Sequence, residues 1–268
     1  MTHRRRSRAG VGKVPLTKLA PLVFLAIIGC NLKISRLKLA VLEANQQIVR
    51  LGLVMSTFGN VSGIDRAKGL VVIKPSGVPY ESLQPEDIVV SDMNGEIVEG
   101  SLKPSSDLAT HLVLYRAFSR IGGIVHTHSE YATAWAQARK PIPCYGTTHA
   151  DYFHGPVPVT EMLTADEVGD EYVHNTGEVI LRCFRTLDPL EIPAVLVAGH
   201  APFCWGETVE DAVHHAAILE YVARLALHTE ALTGPGAGIP QHLVDRHHKR
   251  KHGSAATYGQ VPTRNDNA

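Results

Sequence analysis

The tripeptide His126-Thr127-His128 closes an apolar run, GGIVHTH, and its spacing is the most chemically pointed feature of the chain. Successive side chains of a strand point to opposite faces, so residues two apart share one. Both imidazoles are thereby placed to hold a single cation. His200 closes a second apolar run, AVLVAGH, and supplies a candidate third ligand. Three histidines with an open coordination position describe a catalytic rather than a structural metal site, and nitrogen donors favour Zn2+ or a similar divalent cation such as Mn2+ or Co2+. Taken alone, an HxH pair also reads as surface histidines at a strand end.

A second feature is doubled: Lys74-Pro75-Ser76-Gly77 and Lys103-Pro104-Ser105-Ser106-Asp107. Hydroxyls and small residues beside a lysine can cradle phosphate. Gly77 permits close backbone approach, while Ser105 and Ser106 offer hydroxyls and amides at the start of a helix, whose dipole favours an anion. Each loop by itself is also an ordinary Pro-Ser turn. Asn60, in GNVS, adds a candidate amide donor. Asp151 lies in TTHADYF among aromatic and imidazole groups that can tune a carboxyl for proton transfer, although a lone loop aspartate is commonly a cap. Near the C-terminus, HHKRKH from His247 to His252 forms a basic cluster that also reads as the solvated face of a last helix.

The elements that must position these residues follow from periodicity. Apolar residues from Leu37 to Leu51 repeat at helical spacing and stop at Gly52. Short β-type runs are predicted at 54–58, 69–74 and 87–91, and Asn94-Gly95 turns the chain into EIVEG, so that these strands neighbour one another in antiparallel fashion. Ser105 and Ser106 precede a helix, LATHLVLYRAF. The strand ending in HTH comes next, then an alanine-rich helix through Gln137. Thr164 and Glu167 form a capping-box signal for a helix reaching Phe184, with Gly169 and Gly177 interrupting the pattern. AVLVAGH and APFCWG are two further strands, and Thr208 caps a long helix with Val213, Ala217, Leu219, Val222 and Leu225 on its apolar face. The fold class expected is α/β: a single domain whose central sheet, mixed or antiparallel, is flanked by helices.

At 268 residues with 44% hydrophobic residues the chain can bury a full core. Its 26 basic residues balance 26 acidic ones, so overall charge points to neither nucleic acid nor a membrane surface. The four cysteines show no paired spacing, which argues against a zinc ribbon or disulfide framework and suits a reducing compartment; 15 histidines favour a metal site. HRRRSR at residues 3–8 followed by the apolar run Leu19 to Cys30 is short for a membrane span but has the pattern of a signal-peptide core, and IIGC has the form of a lipoprotein box. The competing reading is an extension from an early start codon. On either reading residues 1–36 stand outside the folded domain, expected at 37–260 with a tail at 261–268.

In order and spacing, GNVS, IKPSG, KPSSD, GGIVHTHS, GTTHADYF, the strand ending at His200, and DRHHKRKHG followed by TYGQ resemble the L-ribulose-5-phosphate 4-epimerases of the class II aldolase/epimerase family, over residues 37 to 260. Carried over residue by residue, the resemblance implies that His126, His128 and His200 bind a zinc-like ion with Asp107 beside it. Asn60, Lys74, Ser76, Gly77, Ser105 and Ser106 match phosphate-binding positions. Asp151 and Tyr258 match an acid/base pair, and His247 a supporting catalytic position. The resemblance further implies a cytoplasmic homotetramer in which Asp151 and Tyr258 reach a neighbouring subunit's site, acting on a pentulose phosphate in arabinose or ascorbate breakdown. The N-terminal extension and the Gly-Pro stretch at 234–238 depart from the family. Two other readings share the fold: an L-fuculose- or L-rhamnulose-phosphate type aldolase, and a non-enzymatic scaffold like the adducin head. Aspartate at 107, where such aldolases carry glutamate, and the THADYF string favour the epimerase.

Overall fold

A computed structural model describes residues 20–252 and residue 256, with side chains from Ile34 onward. Tyr258 lies outside the described residues. The chain divides into two units, residues 1–36 and 37–268, and the division falls within the first helix, α1 (Ala20–Arg50). Gly52, at φ 68°, ends that helix as expected for a C-terminal glycine.

The second unit is built on one seven-stranded sheet: β1 (Gly59–Asp65), β2 (Leu70–Ile73), β3 (Val89–Asp92), β4 (Ile97–Glu99), β5 (Gly123–Thr127), β6 (Ala194–Leu196) and β7 (Pro202–Gly206), in spatial order β4-β3-β2-β1-β5-β7-β6. Every neighbouring pair is antiparallel, which resolves the expected mixed or antiparallel sheet to the second form. The run at 54–58 is not a strand. It is a turn, with Ser56 at φ 55°, that feeds β1.

Helices cover both faces. On one, α2 (Leu108–Ala117) and α5 (Tyr172–Cys183) enclose a core that includes Ile73, Leu112, Tyr115, Ile124, Phe203 and Trp205. The helices meet closely because Gly177 has no side chain; a Cβ there would lie 2.6 Å from Val113 Cβ. Gly177 therefore packs within α5 rather than interrupting it. Gly169 does interrupt: the segment Thr164 to Phe184 divides into a 3-10 turn at Asp166–Val168 and α5, and Glu167 Oε2 accepts from the Thr164 amide at 2.8 Å.

On the other face α6 (Val209–Thr233) packs with α3 (Glu130–Ala138). Thr208 Oγ accepts from the Asp211 amide at 3.0 Å, capping α6. Glu220 of α6 accepts from the Tyr131 and Ala132 amides, satisfying free donors at the start of α3. Two further helices, α4 (Thr147–Ala150) and α7 (Gln241–His252), pack on each other, and Ala150 and Val244 cluster there with Cys144.

Candidate active site

The sheet register lines up the first part of the site. Asn60 on β1 pairs with His126 on β5, and His126 pairs with Phe203 on β7. Residues directly opposite in an antiparallel sheet share a face. His126 consequently stacks on Phe203, with ring centroids 4.2 Å apart, and is buried.

The Pro202 carbonyl fixes the state of His126. It lies 3.0 Å from Nδ1, and because a carbonyl only accepts, Nδ1 carries the hydrogen and Nε2 keeps its lone pair. His128 follows two residues later and exposes its ring at the mouth. His200 is not at the end of its strand as expected: β6 stops at Leu196, and His200 sits in the turn to β7. Pairing of β7 with β5 brings it in. The three ring centroids are 4.9 to 5.0 Å apart, and one ring nitrogen of each lies within 4.8 Å of the others.

Burial lowers the pKa of all three imidazoles, and neighbouring rings of the triad lower His128 and His200 further; His200 falls to about 4. Neutral imidazoles are the form that binds cations. Asp107 Oδ2 lies 4.0 Å from His126 Nε2 and accepts from Asn60 Nδ2 at 2.6 Å. Burial alone would raise this carboxyl, but His126, His111 and the Asn60 bond hold it below the usual carboxylate range. The donor set fits a divalent cation: three neutral nitrogens, an ionised carboxylate, and a buried His200 Nδ1 that has no hydrogen-bond partner among the described residues.

The doubled motif folds on itself. Pro75 and Pro104 form an antiparallel bridge, flanked by bonds from the Ser76 amide to Lys103 O at 3.0 Å and from the Ser105 amide to Lys74 O at 2.9 Å. The two loops thus become one wall. Gly77 adopts φ 69°, a left-handed conformation that side chains disfavour, with open space before it.

Lys74 is buried, its Nζ donating to Val78 O at 2.7 Å and Pro75 O at 3.2 Å while lying over the Tyr80 ring. Desolvation lowers its pKa. Asn60 Oδ1 is buried without a partner among the described residues. Since its amide nitrogen must face the Asp107 carboxylate, this oxygen is oriented by chemistry and not by choice. Ser105 Oγ accepts from the Asp107 amide at 3.3 Å, so Ser105 does not cap α2 directly; Asp107 holds the N-cap position.

One cavity of about 480 Å³ is lined by Asn60, Lys74, Ser76, Gly77, Ser105, Ser106, Asp107, His126, His128 and His200. Phe58 and Tyr172 also line it, at ring distances of 6.0 Å from His128 and 6.5 Å from His200. Sequence reasoning missed both, and missed His111. That residue stands one helical turn after Asp107, buried, with Nδ1 2.7 Å from Ser62 Oγ, which is 2.8 Å from Tyr115 OH. The i, i+4 spacing in DLATH was the available signal.

Asp151 and His247 do not line this cavity. They form a separate group between α4 and α7, where Asp151 Oδ1 accepts from His247 Nδ1 at 3.0 Å and from Arg250 at 3.2 Å, and Asp151 O accepts from His252 Nε2 at 2.8 Å. The basic cluster of the last helix is therefore partly engaged and not simply a solvated face.

The chain matches the model of the Class II Aldolase and Adducin N-terminal domain over residues 39–227. It is 51% identical over 225 residues to the L-ribulose-5-phosphate 4-epimerase UlaF of Salmonella paratyphi B, covering 84% of this chain and 99% of that one. Among solved structures it is similar to an L-fuculose 1-phosphate aldolase with a TM-score of 0.69 and 28% identity, over 80% of this chain and 95% of the other. It also resembles the L-fuculose-1-phosphate aldolase of Thermus thermophilus, with a TM-score of 0.59 and 25% identity over 76% and 99% of the two chains.

Proposed function

The chain belongs to the class II aldolase and adducin N-terminal domain family, and from that premise we propose that it is a metal-dependent epimerase interconverting L-ribulose 5-phosphate and D-xylulose 5-phosphate. The observation that carries this reading is the cavity in which three neutral imidazoles and a carboxylate face a buried lysine and two bridged serine loops. The 51% identity to a named 4-epimerase over nearly its whole length supports the choice of substrate.

Carbon 4 of a ketose phosphate is not adjacent to the carbonyl, so its own hydrogen is barely acidic. Retro-aldol cleavage between carbons 3 and 4 avoids that problem. The bonding electrons pass to an enediolate, the two-carbon aldehyde phosphate rotates, and re-addition to its other face inverts carbon 4. His126, His128 and His200, with Asp107 beside them, would hold a divalent cation such as Zn2+, which as a Lewis acid would stabilise the developing negative charge.

The protein's other residues supply binding and proton transfer. Lys74, Asn60, Ser76, Gly77, Ser105 and Ser106 grip the phosphate, which keeps the rotating fragment from escaping. Asp151 and Tyr258 exchange the proton of the carbon 4 oxygen from opposite sides, and His247 orients Asp151. That Asp151 and His247 lie outside the cavity of their own chain supports the reading that they serve a neighbouring copy's site in a homotetramer. On this reading residues 37–260 are the catalytic domain, 1–36 an extension and 261–268 a tail. No helix among the described residues is long and apolar enough to cross a membrane, and a cytoplasmic location suits a sugar-phosphate enzyme.

Incubation of the metal-loaded protein with L-ribulose 5-phosphate is expected to yield D-xylulose 5-phosphate. Absence of that product would sink the assignment. The likeness to L-fuculose 1-phosphate aldolases keeps one second reading, an aldolase that releases its fragments, and the same assay distinguishes it by the appearance of free aldehyde and ketone pieces.

A further inference from the structure

His154 stands three residues after Asp151 and belongs to none of the groups assigned above. Its Nδ1 lies 3.1 Å from Glu191 Oε2 and its Nε2 2.8 Å from Asp245 Oδ1. An ionised carboxylate only accepts, and a neutral imidazole has a single N–H. Both bonds exist together when the ring is imidazolium.

The two carboxylates come from different parts of the chain. Glu191 lies in the segment before β6, and its carbonyl also accepts from the His154 amide at 2.9 Å. Asp245 is on α7, where Gln241 Nε2 donates to the same Oδ1 at 2.9 Å. His154 therefore ties the first half of α7 to the body of the domain, two residues before His247. The second half is tied by Asp151 to His247 and Arg250. Of α7 itself only Val244 and His248 are buried.

We propose that His154 is a positioning residue, a cationic clasp that holds α7 so that His247 meets Asp151, and that the clasp opens when the imidazolium loses its proton. This rests on the reading that Asp151 and His247 serve the active site. The groups facing His154 are the Glu191 and Asp245 carboxylates and the His248 ring, stacked on it with centroids 4.6 Å apart; His252 lies beyond His248, and Lys249 acts on Asp245. Burial lowers the pKa of His154, but the bonds and charges of Glu191 and Asp245 outweigh it and the net displacement is upward. His248 stays neutral, lowered to about 4 by burial and by its neighbours His252 and His154. A raised folded value means that the tie is whole below the ordinary histidine value of about 6.5 and is lost as pH rises through the shifted one.

The test uses the full-length, metal-loaded protein. Nitrogen-15 NMR of labelled histidines, with the His154 signals assigned by their loss in His154→Gln, is expected to show both ring nitrogens protonated together and to titrate above the ordinary histidine value of about 6.5. Amide exchange across residues 241–252, referenced to α6, is expected to run at least about ten-fold faster in His154→Gln and in Asp245→Asn. In the wild-type protein the same helix is expected to lose protection as pH rises, and in both variants to lose that dependence. Turnover should fall in the variants with KM and metal content kept. A His154 that titrates at or below the ordinary histidine value of about 6.5, or α7 exchange unchanged in Asp245→Asn, overturns the proposal. Neither measurement depends on the substrate, so a protein inactive on L-ribulose 5-phosphate would refute the proposed function while leaving the clasp to stand or fall by itself.

Discussion

Lys74 and Ser105 are joined through the backbone, the Ser105 amide donating to Lys74 O at 2.9 Å. This bond fuses two loops separated by some thirty residues into one phosphate-sized wall and sets the buried Lys74 ammonium behind it. Replacing Lys74 with methionine preserves its bulk and removes the charge. A charge-assisted bond contributes about 1.5–3 kcal/mol, so kcat/KM for the phosphorylated substrate is expected to fall roughly ten- to hundred-fold, chiefly through KM. Unaltered steady-state kinetics would remove Lys74 from phosphate binding.

His128 exposes its ring at the cavity mouth, so it can be altered without opening the core. His128→Asn is expected to lose bound metal while keeping its circular dichroism spectrum. Elemental analysis of the purified variant decides: full metal occupancy refutes the ligand assignment.

Tyr258→Phe probes the far end of the reaction. Loss of a positioned proton donor is expected to reduce turnover by about two powers of ten or more, with metal content intact. A rate close to wild type would exclude Tyr258 from proton transfer.

Acid stability follows from buried histidines that are not members of the metal triad. His149 donates from Nε2 to Gly155 O at 2.8 Å, and burial brings its pKa to about 4. His111 is lowered further, to about 3, again mainly by burial. In the unfolded chain both titrate near about 6.5. Below that value the unfolded state takes up protons that the folded state refuses, so stability falls as pH drops toward the folded values. The metal-free protein is expected to melt at progressively lower temperature from about pH 6.5 to 4, and His149→Gln to flatten the slope. A melting temperature constant over that interval would contradict the neutral assignment.

Gly123 tests how α6 sits on the sheet. A Cβ there would lie 2.5 Å from Val209 Cα and 2.7 Å from Thr208 O, both backbone atoms that cannot swing aside. Gly123→Ala is expected to destabilise the fold by about 2 kcal/mol or more. Gly146→Ala, which meets nothing within 4 Å, should leave the denaturation midpoint within error, and equal effects of the two would show that the close approach is relieved elsewhere.

Much of this protein was written in short-range patterns. The period of two in GGIVHTH set His126 and His128 on one face, Asn94-Gly95 turned β3 into β4, and Thr208 with Asp211 began α6, because each depends on residues within a few positions of one another. The strand expected at 54–58 failed for the opposite reason: a strand needs sheet neighbours that nearby residues do not supply, and the chain turns there at Ser56.

What only the tertiary structure decided is where distant segments meet. The order β1-β5-β7 sets Asn60 beside His126 and carries His200 in from a turn beyond β6, and no local signal encodes which strands become neighbours. The Pro75–Pro104 bridge, the Asn60–Asp107 bond and the contact of His111 with Ser62 are likewise products of that order. It also kept Asp151 and His247 out of the cavity that holds the other candidate residues. Residue types limit the chemistry that is available; burial of one continuous core chooses the pairing that turns it into a site.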